Sequence, residues 1–413
     1  MIPTNTAYET NIRLPLLFIV FGAITFAASQ AVTLTAGLAM INGAFRLPSV
    51  WTAAHLAILG FALMVAMGAM YQLVPVAFLT PIWSERLGFA QFFITAAGMT
   101  LFSASLAFHA RAALFPGLLL VLGIVLFLLQ MAMTLRKQAN KNIMTLFVST
   151  ALVCLLLTIL FGLTLVFHFW SGTQTMDHLL ALKTHILFGV FGWFPLLIIG
   201  FSYKMVPMFA LAHGFSMKPA RYVYVTYVTG LAVTFVSFLQ NSQATFAAGA
   251  GLLFIAFALF VYHISLMLRK RMKKRLDRPF QFALFAIAAA LILHGAALVL
   301  SYVGDDRHIA IVVYSYLLGW IMLSIIGYLY KIVPFLWWTH RYSKKIGKEN
   351  VPTLKQMMNE NWTTVQCALF IVSAAGVTIA LVISSLPLFY IAQGAMTLFS
   401  LLFAGTIISV LRK

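Results

Sequence analysis

The segment 112–135 contains no ionisable side chain. An α-helix rises about 1.5 Å per residue, so a run of this length crosses a hydrocarbon layer of about 30 Å. Twelve long, mostly apolar runs occur, at about 14–40, 52–79, 88–109, 112–135, 144–170, 179–209, 221–240, 246–268, 280–303, 309–338, 363–384 and 387–411. A membrane barrel would instead show alternating segments of about ten residues. Composition agrees with helices in a bilayer. The chain is 62% apolar and 8% charged, against about 25% charged in soluble domains. A soluble enzyme, a disordered chain and a secreted disulfide scaffold are thereby excluded. The two cysteines, Cys154 and Cys367, lie in apolar runs and read as small buried hydrophobes. The expected fold class is an all-α polytopic membrane protein, one transmembrane domain over 1–413 with 12 transmembrane helices.

The net charge is +19, from 27 Lys/Arg against 8 Asp/Glu. In a soluble chain that balance would point to nucleic acid. Here it falls in short loops between apolar runs, which is what membrane orientation produces. Arg136-Lys137, Arg269-Lys270-Arg271, Lys344-Lys345 and Arg412-Lys413 all fall on one side of a twelve-span chain. The positive-inside rule makes that side, and both termini, cytoplasmic. The expected location is a prokaryotic plasma membrane, with the lipid bilayer as partner and no nucleic acid. The polar start, Ile2 to Arg13, runs into a span too long for a cleavable signal peptide. Tyr222, Tyr224, Tyr227, Trp337 and Trp338 read as an aromatic belt at cytoplasmic helix ends.

Three spans share a register. Counting back from Pro75, Pro207 and Pro334, Val stands at −1, Tyr at −4, Gly at −7, an aromatic residue at −14 and Gly at −15. The prolines are 132 and 127 residues apart, four helices each time. This spacing predicts three pseudo-threefold four-helix repeats, with repeat-bearing helices at about 52–79, 179–209 and 309–338. Gly60, Gly192 and Gly319 at −15 are positions for close helix approach or for a flat cofactor; glycine alone leaves both readings open. The Val-Pro ending is expected to stop each helix.

Of the ten histidines, His55, His109, His168, His178, His185, His294 and His308 fall towards the outer face on this topology. Imidazole is the commonest biological metal ligand and binds haem iron axially. His55 lies 20 residues before its repeat proline and His185 lies 22 before, so the repeat brings them to one depth and they are the leading metal or haem ligands. His294 is well inside its span, where an ionisable group is a functional hypothesis by default. His109, His168, His178 and His308 read as interfacial. Lys183, near His185, meets an anion or snorkels outward. Met64, Met67 and Met70 recur at three-residue spacing; thioethers suit copper(I), but methionine is ordinary core filler.

Taken together, the twelve spans, the threefold pattern and three helices ending Gly-x2-Tyr-x2-Val-Pro resemble the catalytic subunit of haem-copper oxidases. The similarity is to their C-family members and to nitric oxide reductases, and it is densest from Gly319-Trp320 through Gly327 and Tyr330 to Trp337. The second span, with Trp51, His55, Gly60-Phe61, Gly68 and Val74-Pro75, also resembles the NnrS-type family of haem- and copper-associated membrane proteins. The resemblance implies a low-spin haem ligand in the region of His55. It implies a copper ligand where Leu187 stands, two residues after His185, and a histidine pair in the seventh span, which has none. It implies a His-x-His in the tenth span where Val312 and Tyr314 stand; tyrosine ligates ferric haem in some proteins, which keeps Tyr314 among the candidates. The expectation is therefore one b-type haem near His55 and His185, with copper an open possibility and His294 or His109 as a further ligand. Nitric oxide or another small gas, haem or electrons would be handled rather than oxygen reduced by the standard route. No Cys-x-x-Cys-His haem attachment motif occurs, and the sequence leaves open whether an additional membrane subunit brings electrons. The competing readings are a non-redox transporter or channel, with Lys204 and Lys331 as its intramembrane charges, and a structural or assembly subunit.

Overall fold

The computed structural model describes residues 10–303 and 306–413. The chain is all α, 85% helical, with no strand among the described residues. Twelve helices are long and apolar enough to cross a membrane: α1 Arg13–Thr35, α2 Pro48–Phe78, α3 Glu85–Phe108, α4 Ala110–Arg136, α5 Ile143–Ser171, α6 His178–Ala210, α7 Lys218–Gln240, α8 Gln243–Arg269, α9 Arg278–Val303, α10 Asp306–Lys345, α11 Glu360–Val382 and α12 Leu386–Val410. Most boundaries move by a few residues from the hydropathy reading, and two spans change most. The run 14–40 is broken after Thr35, and a short helix Gly37–Ile41 follows. The tenth helix extends past 309–338 at both ends.

Helix entry follows local chemistry. Ser84, Asn142, Asp177, Ser242, Asn359 and Ser385 each accept first-turn N–H bonds at the start of α3, α5, α6, α8, α11 and α12, satisfying donors the helix cannot. Carboxylates serve two more starts. Glu85 on α3 accepts the Asn11 N–H ahead of α1 at 2.7 Å, and Glu360 on α11 accepts the Arg278 N–H of α9 at 2.8 Å.

α2 and α6 are the most enclosed helices, with 67% and 78% of their most apolar stretch buried, against 28% for α9. The repeat prolines do not stop them. Pro75 lies inside α2, Pro207 inside α6 and Pro334 inside α10. A mid-helix proline orphans the carbonyl four residues back; for Pro75 that is Tyr71, and the Thr10 hydroxyl donates to it at 2.8 Å. α2 and α6 instead end four residues later, at Leu79 and Leu211, both left-handed with φ near 50°. Each of the three helices also widens into a π-helical segment: Leu56–Leu63, Leu187–Trp193 and Leu317–Met322. Such segments are rare and gather at functional sites.

Gly60 and Gly192 lie in these segments and are closed by neighbouring helices. A Cβ on Gly60 would meet the Met99 methyl at 2.3 Å and Thr25 Cβ at 2.9 Å; one on Gly192 would meet Cys154 Cβ and Sγ at 2.9 Å. Helix packing accounts for both. Gly319 is looser: a Cβ there would lie 3.5 Å from Leu293 Cδ1. Tyr227 is not part of an aromatic belt: it is fully buried and donates its hydroxyl to the Phe191 carbonyl of α6 at 2.8 Å.

Candidate functional site

Two imidazoles meet where α2, α3, α5 and α6 converge. His55 immediately precedes the π-helical segment of α2, and His185 stands two residues before that of α6. His55 Nδ1 lies 2.7 Å from the Trp51 carbonyl, one turn back on its own helix. His185 Nδ1 lies 2.9 Å from the Thr158 carbonyl of α5. A carbonyl only accepts, so in each neutral ring the proton is on Nδ1 and the lone pair is on Nε2. Neither Nε2 has a hydrogen-bond partner among the described residues. The ring centroids are 6.4 Å apart and the planes differ by 26°.

The surroundings hold this pair in place. Phe102 of α3 sets its ring against His55 at 5.5 Å. On the other side, a Cβ on Gly162 of α5 would come within 2.9 Å of His185 Cε1, so glycine leaves the space the imidazole uses. Nearer the α5–α6 connection, Trp51 and Phe169 pack at 5.1 Å. The donors are imidazole nitrogens anchored through their second nitrogen, the usual arrangement at metal centres. His55 and His185 would hold a metal ion or haem iron through their Nε2 lone pairs. No group of three His, Cys, Asp or Glu side chains able to hold a metal occurs among the described residues.

His294 is elsewhere, on α9 against α8 and α10. Its Nδ1–H donates to the Ala290 carbonyl at 2.8 Å, and its Nε2 faces the Tyr316 hydroxyl at 3.4 Å. Phe257 stacks on the ring at 4.4 Å, with Tyr316 and Trp320 edge-on at 5.1 and 6.0 Å. Tyr314, the residue in the expected ligand position, sits among apolar side chains between two parts of the core. The tyrosine that reaches a histidine is Tyr316. The sequence carried one signal for it, a second tyrosine two residues on and therefore on another face of the helix.

His168 and His178 form a second imidazole contact, centroids 5.8 Å apart, near the α5–α6 connection. The Thr175 N–H donates to His168 Nε2 at 3.1 Å, which uses the lone pair a metal would need. Met64, Met67 and Met70 are fully buried. The Lys183 ammonium lies 6.0 Å over the Phe238 ring, near the Gln240 end of α7. Lys331 and Lys273 both bond Asp277 in the α8–α9 loop, Lys273 at 2.8 Å. Burial alone would raise the Asp277 carboxyl, but the two lysine hydrogen bonds and charges outweigh it and hold the group below its ordinary 3.8.

Twelve apolar helices define a polytopic integral membrane protein. Compared with protein-family models and with curated proteins, the chain matches none.

Proposed function

We propose that this is a haem-binding integral membrane protein related to the catalytic subunit of haem-copper oxidases, with one b-type haem held between His55 and His185. The observation that carries the reading is the pair itself: two imidazoles 6.4 Å apart, each anchored through Nδ1–H and each with an unpartnered Nε2. A bound haem would supply reversible one-electron chemistry and an affinity for small gases. The chain's own residues do the positioning: Trp51 and Thr158 carbonyls fix the tautomers, and Gly162 and Phe102 fix the ring planes. Nitric oxide, haem or electrons are the substrates this arrangement serves. With no third ligand beside the pair among the described residues, the standard oxygen-reducing centre is not part of the proposal. A single copper on the same two nitrogens is the second reading, because imidazole suits copper as well as iron.

The scaffold belongs to the proposal too. We infer three four-helix repeats about an axis along the membrane normal, with both termini cytoplasmic. Support comes from register. The wall between α2, α6 and α10 takes Ala66, Ile198 and Ile325, each nine residues before its proline, and Leu73, Met205 and Ile332, each two before. The three π-helical segments cover the same Gly-aromatic pair. A transporter reading loses one of its two intramembrane charges, since Lys331 is engaged by Asp277.

The test is the purified protein in mild detergent, with oxidised and dithionite-reduced spectra, a pyridine haemochrome count and metal analysis. About one haem per chain with a low-spin b-type spectrum, lost in His55→Ala and in His185→Ala, is expected. Stoichiometric copper without haem selects the second reading. Neither haem nor copper, from cells supplied with both, refutes the site.

A further inference from the structure

The basic segment between α8 and α9 is built into a surface. Every residue from Arg269 to Arg275 is Lys or Arg except Met272. The segment is docked on the loop between α6 and α7. The Met272 N–H donates to the Leu211 carbonyl at 3.1 Å and the Lys273 N–H to the Ala210 carbonyl at 3.3 Å. An antiparallel bridge pairs Ala212 with Arg271 beside them. The α6–α7 loop is anchored in turn. His263, buried in α8, donates its Nε2–H to the Ser216 carbonyl at 2.9 Å, since a carbonyl only accepts. The two loops are therefore held edge to edge by bonds that consume none of the charges.

Those charges are uncompensated. Arg269, Lys270, Arg271, Lys274 and Arg275 are exposed, and none has a carboxylate partner among the described residues. Asp277, the acid next along the chain, is taken by Lys273 and Lys331. The docked α6–α7 side adds Lys218 and Arg221, exposed and likewise without a carboxylate.

Depth and apolar neighbours select the partner. α8 ends at Arg269 and α9 begins at Arg278, so a short docked loop keeps its cations at the helix ends. That level is the headgroup layer, since the hydrocarbon core takes about 30 Å of a bilayer about 40–45 Å thick. Met272 is 73% exposed and Tyr222, beside Arg221, is 69% exposed. Headgroups and upper acyl chains shelter such side chains, whereas water does not. An acidic soluble protein would match the charges and leave Met272 and Tyr222 unexplained.

We propose that the docked α6–α7 and α8–α9 loops are a binding surface for anionic phospholipids. The cations recognise the headgroup phosphate and its net negative charge, and Met272 and Tyr222 enter the interface beside them. Salt screens such attraction beyond about 10 Å at 0.1 M, so docking matters: it holds the cations at short range. The surface uses neither His55 nor His185 and requires no cofactor.

Photoreactive phosphatidylglycerol and phosphatidylcholine, each added to the purified full chain in detergent, test this. Native mass spectrometry reads affinity, and peptide mapping reads the cross-linked positions. Phosphatidylglycerol is expected to bind at least about tenfold more tightly than phosphatidylcholine and to lose most of that advantage at about 0.5 M salt. Its cross-links should fall chiefly within 211–222 and 269–278. Replacing Arg269, Lys270, Arg271, Lys274 and Arg275 together by Gln should reduce the preference at least about fivefold. The same replacement of Arg136, Lys137 and Lys141 in the α4–α5 loop should leave it within about twofold. Met272→Ser keeps every charge and should weaken phosphatidylglycerol binding at least about twofold. Where the neutralised chain does not insert, the cross-link map on the parent chain decides. Equal affinity for the two lipids, cross-links spread evenly over all basic loops, or an unchanged preference in the neutralised chain would each overturn the proposal. Polyglutamate bound as tightly as phosphatidylglycerol would assign the surface to an acidic protein instead. Displacement of the lipid by an equal concentration of inorganic phosphate would reduce it to a free-anion site. Haem content of the same preparations reads the His55–His185 site separately, so either proposal can fail alone.

Discussion

His55 and His294 start from the same chemistry and end in different environments. Each is an in-membrane histidine whose Nδ1–H bonds the carbonyl four residues back, Trp51 for one and Ala290 for the other. That bond fixes the tautomer in both. The difference lies at Nε2. At His55 it is unpartnered and a second imidazole stands 6.4 Å away. At His294 it faces the Tyr316 hydroxyl, inside a box of Phe257, Tyr316 and Trp320. A buried histidine with a fixed tautomer is therefore no sign of ligation by itself; the lone pair must also be left available.

The largest expected effect separates the two directly. His55→Ala or His185→Ala should lower bound haem, or copper in the second reading, by at least tenfold. His294→Ala should leave the metal content within about twofold of the parent chain. Absorption spectra and metal analysis check this, and loss of haem in His294→Ala would dissolve the distinction. Next in size is stability. His294→Leu removes the contact with Tyr316 and repacks the aromatic box, so an unfolding free energy lower by about 2 kcal/mol is expected. The thermal midpoint of the detergent-solubilised protein reads it. Smaller still is Tyr316→Phe, which leaves a buried Nε2 without its hydroxyl and should cost about 1 kcal/mol. If the comparison is sound, this variant also opens His294 to added imidazole-binding metals such as Zn²⁺, and metal titration of the variant against the parent would show it.

The sequence made the twelve spans legible because bilayer thickness sets their length and the charges mark their ends. It also brought His55 and His185 to nearly one depth, because they lie 20 and 22 residues before the prolines of a shared register. What it did not carry was every feature set by a distant partner. Pro75 looks like a stop until Thr10, 61 residues away, takes the Tyr71 carbonyl. Tyr227 looks interfacial until the Phe191 carbonyl of α6 draws it inward. Tyr314 looks like the ligand position by analogy, yet Tyr316 is the residue turned to a histidine. The π-helical segments have no periodic signal, since they add width without altering the apolar character of the run. Gly60 and Gly192 were open between cofactor and packing until Thr25, Met99 and Cys154 were seen against them.

The smallest prediction concerns a charged contact outside the imidazole chemistry, and it calibrates the rest. Asp277 bonds Lys273 and Lys331 and so ties the α8–α9 loop to α10 at the end opposite His294. Its carboxyl is held below 3.8 by those lysines despite the opposing effect of burial. A depressed folded-state value means the contact stabilises the fold fully above the ordinary carboxylate value and is lost as pH falls through the lower folded-state value. The dependence therefore lies below pH 3.8. Asp277 is about one quarter exposed, so Asp277→Asn should cost at most about 1 kcal/mol at neutral pH. It should flatten the acid limb of the stability profile and leave the haem spectrum unchanged. A spectral change in Asp277→Asn would mean that the Lys331 end of α10 is coupled to the His55–His185 pair through the bundle. The contrast between the two histidines would then be a property of the whole scaffold rather than of their immediate neighbours.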